Sequence, residues 1–170
     1  MRQQSATIMP HKRLPMSMQK HFTATVYIIK EGKVLLIHHR KFNKWLPPGG
    51  HIDENETPTD AACREAEEET GLKIELISQE NIWIEHSNAK SLKRPYMCLL
   101  EEIPAHGGKP AHQHIDFIYL GRPIGGKEAA CHREIGDMGW FTLNEVKALK
   151  VGDEIFKETQ ESIQAILSVK

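Results

Sequence analysis

No run in this chain is apolar for long enough to span a bilayer, and Met1 to Lys20 is basic and polar, without the continuous apolar core of a signal peptide. Cysteine is scarce. Cys63, Cys98 and Cys131 lie far apart in no metal-ligand spacing, and an odd count fits poorly with a disulfide framework. These absences predict a soluble, cytoplasmic protein with no membrane partner. An excess of either charge is also lacking, since 22 Lys and Arg face 23 Asp and Glu. Without a basic field the chain is not expected to take polymeric nucleic acid as a partner. At 170 residues it is long enough for one domain with a substantial core and short for two.

The most informative stretch runs from Gly50 to Leu72, a loop leading into a helix with acids crowded at its far end. Thr57-Pro58-Thr59-Asp60 reads as a helix start: a Thr oxygen can accept an orphan N–H, Pro suits the first helical position, and an acid follows three residues after the cap. Gly71 reads as the stop. Glu65, Glu68 and Glu69 stand at i, i+3 and i+4, so their side chains share one helical face with Cβ atoms about 5–6 Å apart. Acids so placed repel one another and sit at the end of the helix where the macrodipole is already negative. A solvated acidic face is the commonest meaning of such a run. The alternative is convergence on one small, hard cation, for which carboxylate oxygens are the natural ligands; Mg2+ is the first choice and Mn2+ the second. Glu67 points away from the other three.

Gly50, Glu56, Arg64, Glu65, Ala66, Glu68, Glu69, Gly71 and Leu72 match in register the pattern G-x5-E-x7-R-E-U-x-E-E-x-G-U, with U aliphatic. The segment therefore resembles the signature of the Nudix hydrolases. That resemblance implies an α/β fold, an α/β/α sandwich with a mixed β-sheet. It also implies a metal-dependent hydrolase that cuts a diphosphate linkage in a nucleoside diphosphate derivative or nucleoside triphosphate by attack of water on phosphorus. By the same resemblance Glu65, Glu68 and Glu69 hold metal together with a carbonyl of the Gly49-Gly50 pair, assigned to Gly50. One of those acids, or a later one, acts as base, and Glu56 and Arg64 orient the cluster. The later acid is expected ahead of Trp140-Phe141, with Glu134 favoured over Glu128 and Asp137. Rival readings are a Nudix-fold nucleotide sensor without catalysis, an isopentenyl-diphosphate isomerase and an RNA-decapping enzyme. The intact acids, the lack of any cysteine before Cys63 and the neutral charge oppose these in turn.

Elsewhere the chain reads as a flexible arm over residues 1–20 and one domain over 21–170. Phe22 to Ile29 and Val34 to His38 form a hairpin about Glu31-Gly32. Strands are expected at Lys73 to His86, Pro95 to Glu102, His114 to Leu120 and Met138 to Phe141, and helices at Leu143 to Leu149 and Asp153 to Val169. Among ten histidines, His112 and His114 would share a strand face with Asp116 and could contact the small-molecule nucleotide substrate. His51, beside the glycines, could reach a phosphate, as could Arg40, Lys41 and Lys44. A second metal site on the histidines is not expected. Phe42, Trp45, Trp83 and Tyr96 could stack on a base.

Overall fold

The computed structural model describes residues 18–78, 80, 82–130 and 135–168. Among these, eight strands form a mixed sheet, built on two long neighbours, β1 (Lys20–Lys30) and β7 (His112–Gly126). They run parallel, pairing from Lys20 opposite Gln113 to Ile28 opposite Gly121. The far end of β1 turns back into β2 (Lys33–His39) through Glu31 and Gly32, both at positive φ, the twist that two-residue hairpin loops require. β2 pairs in turn with β3 (Lys44–Leu46) and β8 (Ile135–Thr142). The near end of β1 holds β4 (Gly49–His51), whose three residues pair with Thr23, Ala24 and Thr25.

Alternation along β1 sends its side chains to two cores. Ala24, Val26 and Ile28 face α1 (Pro58–Thr70), joined by Leu35, Leu72, Ile74, Leu76 and Tyr119. Tyr27, with Val34, Leu36 and Ile118, faces the opposite layer, where Val146 of α2 (Leu143–Ala148) and Ile163 of α3 (Lys157–Ser168) close the second core. The result is the expected α/β/α sandwich. α1 meets the sheet through Ala61, Ala62 and Ala66, all fully buried, so the small residue at 66 is a packing choice. Its ends form as the sequence indicates: the Thr57 hydroxyl accepts the Asp60 N–H at 3.2 Å, and Gly71 adopts φ 73° while its N–H reaches the Glu67 carbonyl.

Several boundaries differ from expectation. The strand foreseen over Lys73 to His86 ends early, as β5 (Leu72–Ile77), because β5 and β6 (Met97–Ile103) pair with successive halves of β7 and the first must leave where the second begins. Beyond it the described residues are irregular apart from a Glu85–Lys90 bridge. Asp153 to Phe156 is not helical: Lys150 and Glu154 close a turn there, with Gly152 at φ 90°, and α3 starts at Lys157. Lys20, assigned to the arm, opens β1, because Lys20 pairs with Gln113. The short strands β3 and β4, on either side of Pro47-Pro48, were not foreseen.

Candidate active site

The residues of the Gly50 to Leu72 signature meet where β4 passes under the last two turns of α1. The Arg64 guanidinium is the hub. Its Nε and Nη2 donate to the two carboxylate oxygens of Glu56 at 2.8 and 2.9 Å, a bidentate fork of the kind only arginine makes. Nη1 donates to Glu65 at 2.8 Å and to Glu68 at 3.2 Å, and Nη2 also reaches the His51 carbonyl at 3.0 Å. One cation thus spans three acids and fastens the helix to β4. The fork holds the Glu56 carboxyl below the usual carboxylate range, helped by a hydrogen bond from the Asp53 N–H, and keeps the guanidinium firmly protonated.

Glu69 is nearly buried, and its carboxylate accepts the Gly49 N–H at 2.9 Å. Glu65 stands against Gly50 so closely that a Cβ there would lie 2.5 Å from its Oε1. The glycine pair therefore does two jobs. Gly49 allows β4 to lie on β1, where a Cβ would strike the Ala24 carbonyl at 2.7 Å, and Gly50 leaves room for a carboxylate. The donor set of Glu65, Glu68, Glu69 and the adjacent backbone carbonyl is all oxygen, and the Glu65 carboxylate fills the space that a side chain at Gly50 would take. Those residues fit a hard divalent cation.

The other expected site residues fall into two groups. His51, His112 and His114 come together, with ring centroids 5.0 Å apart for His51 and His114 and 5.1 Å for His112 and His114. Burial first, then the neighbouring imidazoles, press the His114 pKa down to about 4, and burial lowers that of His51. Arg40 is directed elsewhere, its Nε donating to the Ile135 carbonyl at 3.0 Å. Lys44 binds the carbonyls of Gly152 and Asp153 and so holds the turn before α3. Glu134 lies outside the described residues. Its competitors are both engaged: Glu128 accepts the Trp140 indole N–H at 3.1 Å and Asp137 accepts the Met138 N–H at 2.8 Å.

A cavity of about 590 Å3 adjoins the cluster, lined by His21, Phe22, His51, Asp53, Glu56 and Phe117 among others. The rings of Phe22 and Phe117 lie 6.1 Å apart and within 25° of parallel. Neither was singled out from the sequence, nor was His21. The aromatics that were have other neighbours: Phe42 meets His39 and Phe156, and Trp45 meets His38 and Phe141. Trp83 and Tyr96 are exposed. Only β1 alternation combined with knowledge of its partner strand would have found the Phe22–Phe117 wall.

A three-layer α/β/α fold with this arginine-centred acid cluster on the loop and helix after β4 defines the class. The family model for the NUDIX domain matches residues 19–160, and the chain belongs to that family. A solved hydrolase of the NUDIX family from Clostridium perfringens is 30% identical, with a TM-score of 0.72 over 86% of this chain and 95% of that one. A probable DHNTP pyrophosphohydrolase of Lactococcus lactis is 34% identical over 58% of this chain, and an RNA pyrophosphohydrolase of Bartonella henselae is 50% identical over 26%. The match spans about half of the Lactococcus protein (51%) and 27% of the Bartonella one. No helix among the described residues is long and apolar enough to cross a membrane.

Proposed function

We propose that this chain hydrolyses a diphosphate linkage in a nucleoside triphosphate or nucleoside diphosphate derivative, with Mg2+ bound by Glu65, Glu68, Glu69 and the Gly50 carbonyl. The observation that carries the reading is the Arg64 hub, which gathers Glu56, Glu65 and Glu68 beside a glycine whose missing side chain leaves room for the Glu65 carboxylate. The ion, when bound, withdraws charge from phosphate oxygens and so favours attack on phosphorus.

The protein's own part is placement. Arg64 offsets the repulsion among the acids, and its fork to Glu56 fixes the angle at which Glu65 and Glu68 leave the helix. One of the cluster carboxylates, or an acid later in the sequence such as Glu134, accepts the proton of the attacking water. His51 lines the cavity, with the rings of His112 and His114 close to it, and imidazole N–H groups there can be donated to phosphate. Phe22 and Phe117 offer a flat apolar wall for a base or comparable ring. Relatives described as a probable DHNTP pyrophosphohydrolase and an RNA pyrophosphohydrolase support hydrolysis of a diphosphate linkage.

The test is release of phosphate or diphosphate from nucleoside triphosphates, ADP-ribose, nucleotide sugars, dinucleoside polyphosphates and 5′-triphosphorylated RNA, with Mg2+, Mn2+ or chelator. Turnover that needs Mg2+ and disappears in Glu68→Gln, with the melting temperature little changed, is the expected result. Absence of turnover across the whole panel would favour a nucleotide sensor without catalysis.

A further inference from the structure

Four imidazoles from three strands meet at one end of the sheet. His21 comes from β1, His51 from β4, and His112 and His114 from β7. The parallel register sets His21 opposite His114, and the antiparallel register sets His51 opposite Thr23, on the same face as His21. Ring centroids are 5.4 Å apart for His21 and His51 and 4.7 Å for His21 and His112. The rings are tilted rather than stacked, by 30° to 80°, so ring stacking does not account for the gathering.

One ring nitrogen from each of His21, His51 and His114 lies within 4.8 Å of the other two. Moreover, Nδ1 of His21 and Nε2 of His114 are buried and make no hydrogen bond among the described residues. A buried polar atom without a partner is costly and rare, and two in one cluster ask for a ligand. The opposite side of each β7 ring faces an oxygen. Glu101 Oε2 lies 3.8 Å from His114 Nδ1, and the Pro110 carbonyl lies 3.0 Å from His112 Nδ1. At 3.8 Å the Glu101 carboxylate is beyond hydrogen-bond length, but it stands on the side of the His114 ring where an outer-shell acceptor of a metal-binding histidine belongs.

We propose that His21, His51 and His114 form a second metal site, for a borderline divalent transition ion such as Zn2+, separate from the all-oxygen carboxylate site. Imidazole nitrogen selects such ions over Mg2+, and three imidazoles leave a fourth tetrahedral position for a further ligand; His21 and His51 also line the cavity. Closure from within 4.8 Å to the nitrogen separation of about 3.4 Å, set by bonds of about 2.05 Å to a tetrahedral ion, needs only small side-chain rotations. His112 is placed to steady His21 from the side.

Co2+ titration of the full chain, read by visible absorption, is the test, because tetrahedral nitrogen-bound Co2+ absorbs far more strongly than six-coordinate Co2+ on carboxylates. One equivalent of intense absorption is expected, lost on adding Zn2+ and retained in a large excess of Mg2+. His114→Gln and His51→Gln should each weaken Co2+ at least tenfold, and Glu68→Gln should leave the spectrum unchanged. His51 is exposed, so its variant tests the site even if the His114 variant does not fold. Absence of the intense bands, their survival in His51→Gln, or their loss in Glu68→Gln or excess Mg2+ would overturn the assignment.

Discussion

Replacing Arg64 by Lys keeps a positive charge in place and removes the fork, which makes it the sharpest probe of the hub. The guanidinium makes two bonds to Glu56 and one each to Glu65, Glu68 and the His51 carbonyl. The side chains of Arg64 and Glu56 are 26% and 15% exposed, so solvent screens the fork only in part. Hydrogen bonds to charged groups contribute about 1.5–3 kcal/mol each, and a lysine recovers some of that, so a net loss of about 2 kcal/mol is expected. For a domain of this size that corresponds to a fall of roughly 4–8 °C in melting temperature. Activity should suffer more than stability, because misplacement of about 1 Å at reacting groups can cost about 100-fold, or about 2.7 kcal/mol in the barrier. Thermal melts by circular dichroism and kcat/KM on the best substrate of the panel measure both. An Arg64→Lys protein that melts within about 1 °C of wild type and turns over at the wild-type rate would refute the hub.

Gly50→Ala should fold but lose at least about tenfold in turnover, because its Cβ meets the movable end of Glu65 at 2.5 Å. Gly49→Ala, whose Cβ meets the Ala24 backbone carbonyl, should instead lower the melting temperature markedly; comparing the two melts separates the roles. At the start of α2, the Glu145 carboxylate accepts the Thr142 N–H at 2.7 Å, which with the Thr142 hydroxyl holds its pKa below the usual 4.5. The folded state then binds fewer protons than the unfolded one, so this contribution is full above that value and lost as pH falls through the folded pKa. The melting difference between wild type and Glu145→Gln should be constant near neutrality and shrink in acid, as thermal melts over about pH 3 to 7 would show. Phe22→Ala, removing one side of the aromatic wall, should raise KM for base-bearing substrates more than it lowers kcat.

The chain's own order of residues determined everything that depends on local chemistry. Thr57, Pro58 and Gly71 set the ends of α1 because capping acts over three or four residues, and the spacing of Glu65, Glu68 and Glu69 put them on one face because the helix period is fixed. Glu31-Gly32 closed the first hairpin for the same reason. The limits of the strands were less legible, since β5 ends where β6 claims the next part of β7, a competition between segments some twenty residues apart. Tertiary structure alone decided which histidines meet. Nothing near His21 in sequence points to His114, ninety-three positions away by number; the parallel pairing of β1 with β7 makes them neighbours, and β4 lying on β1 adds His51. The same pairing made a wall of Phe22 and Phe117, while the β2–β8 pairing and the turn before α3 offered backbone carbonyls to Arg40 and Lys44. Helix periodicity is a property of consecutive residues, whereas strand pairing is settled only when the whole sheet buries its two faces.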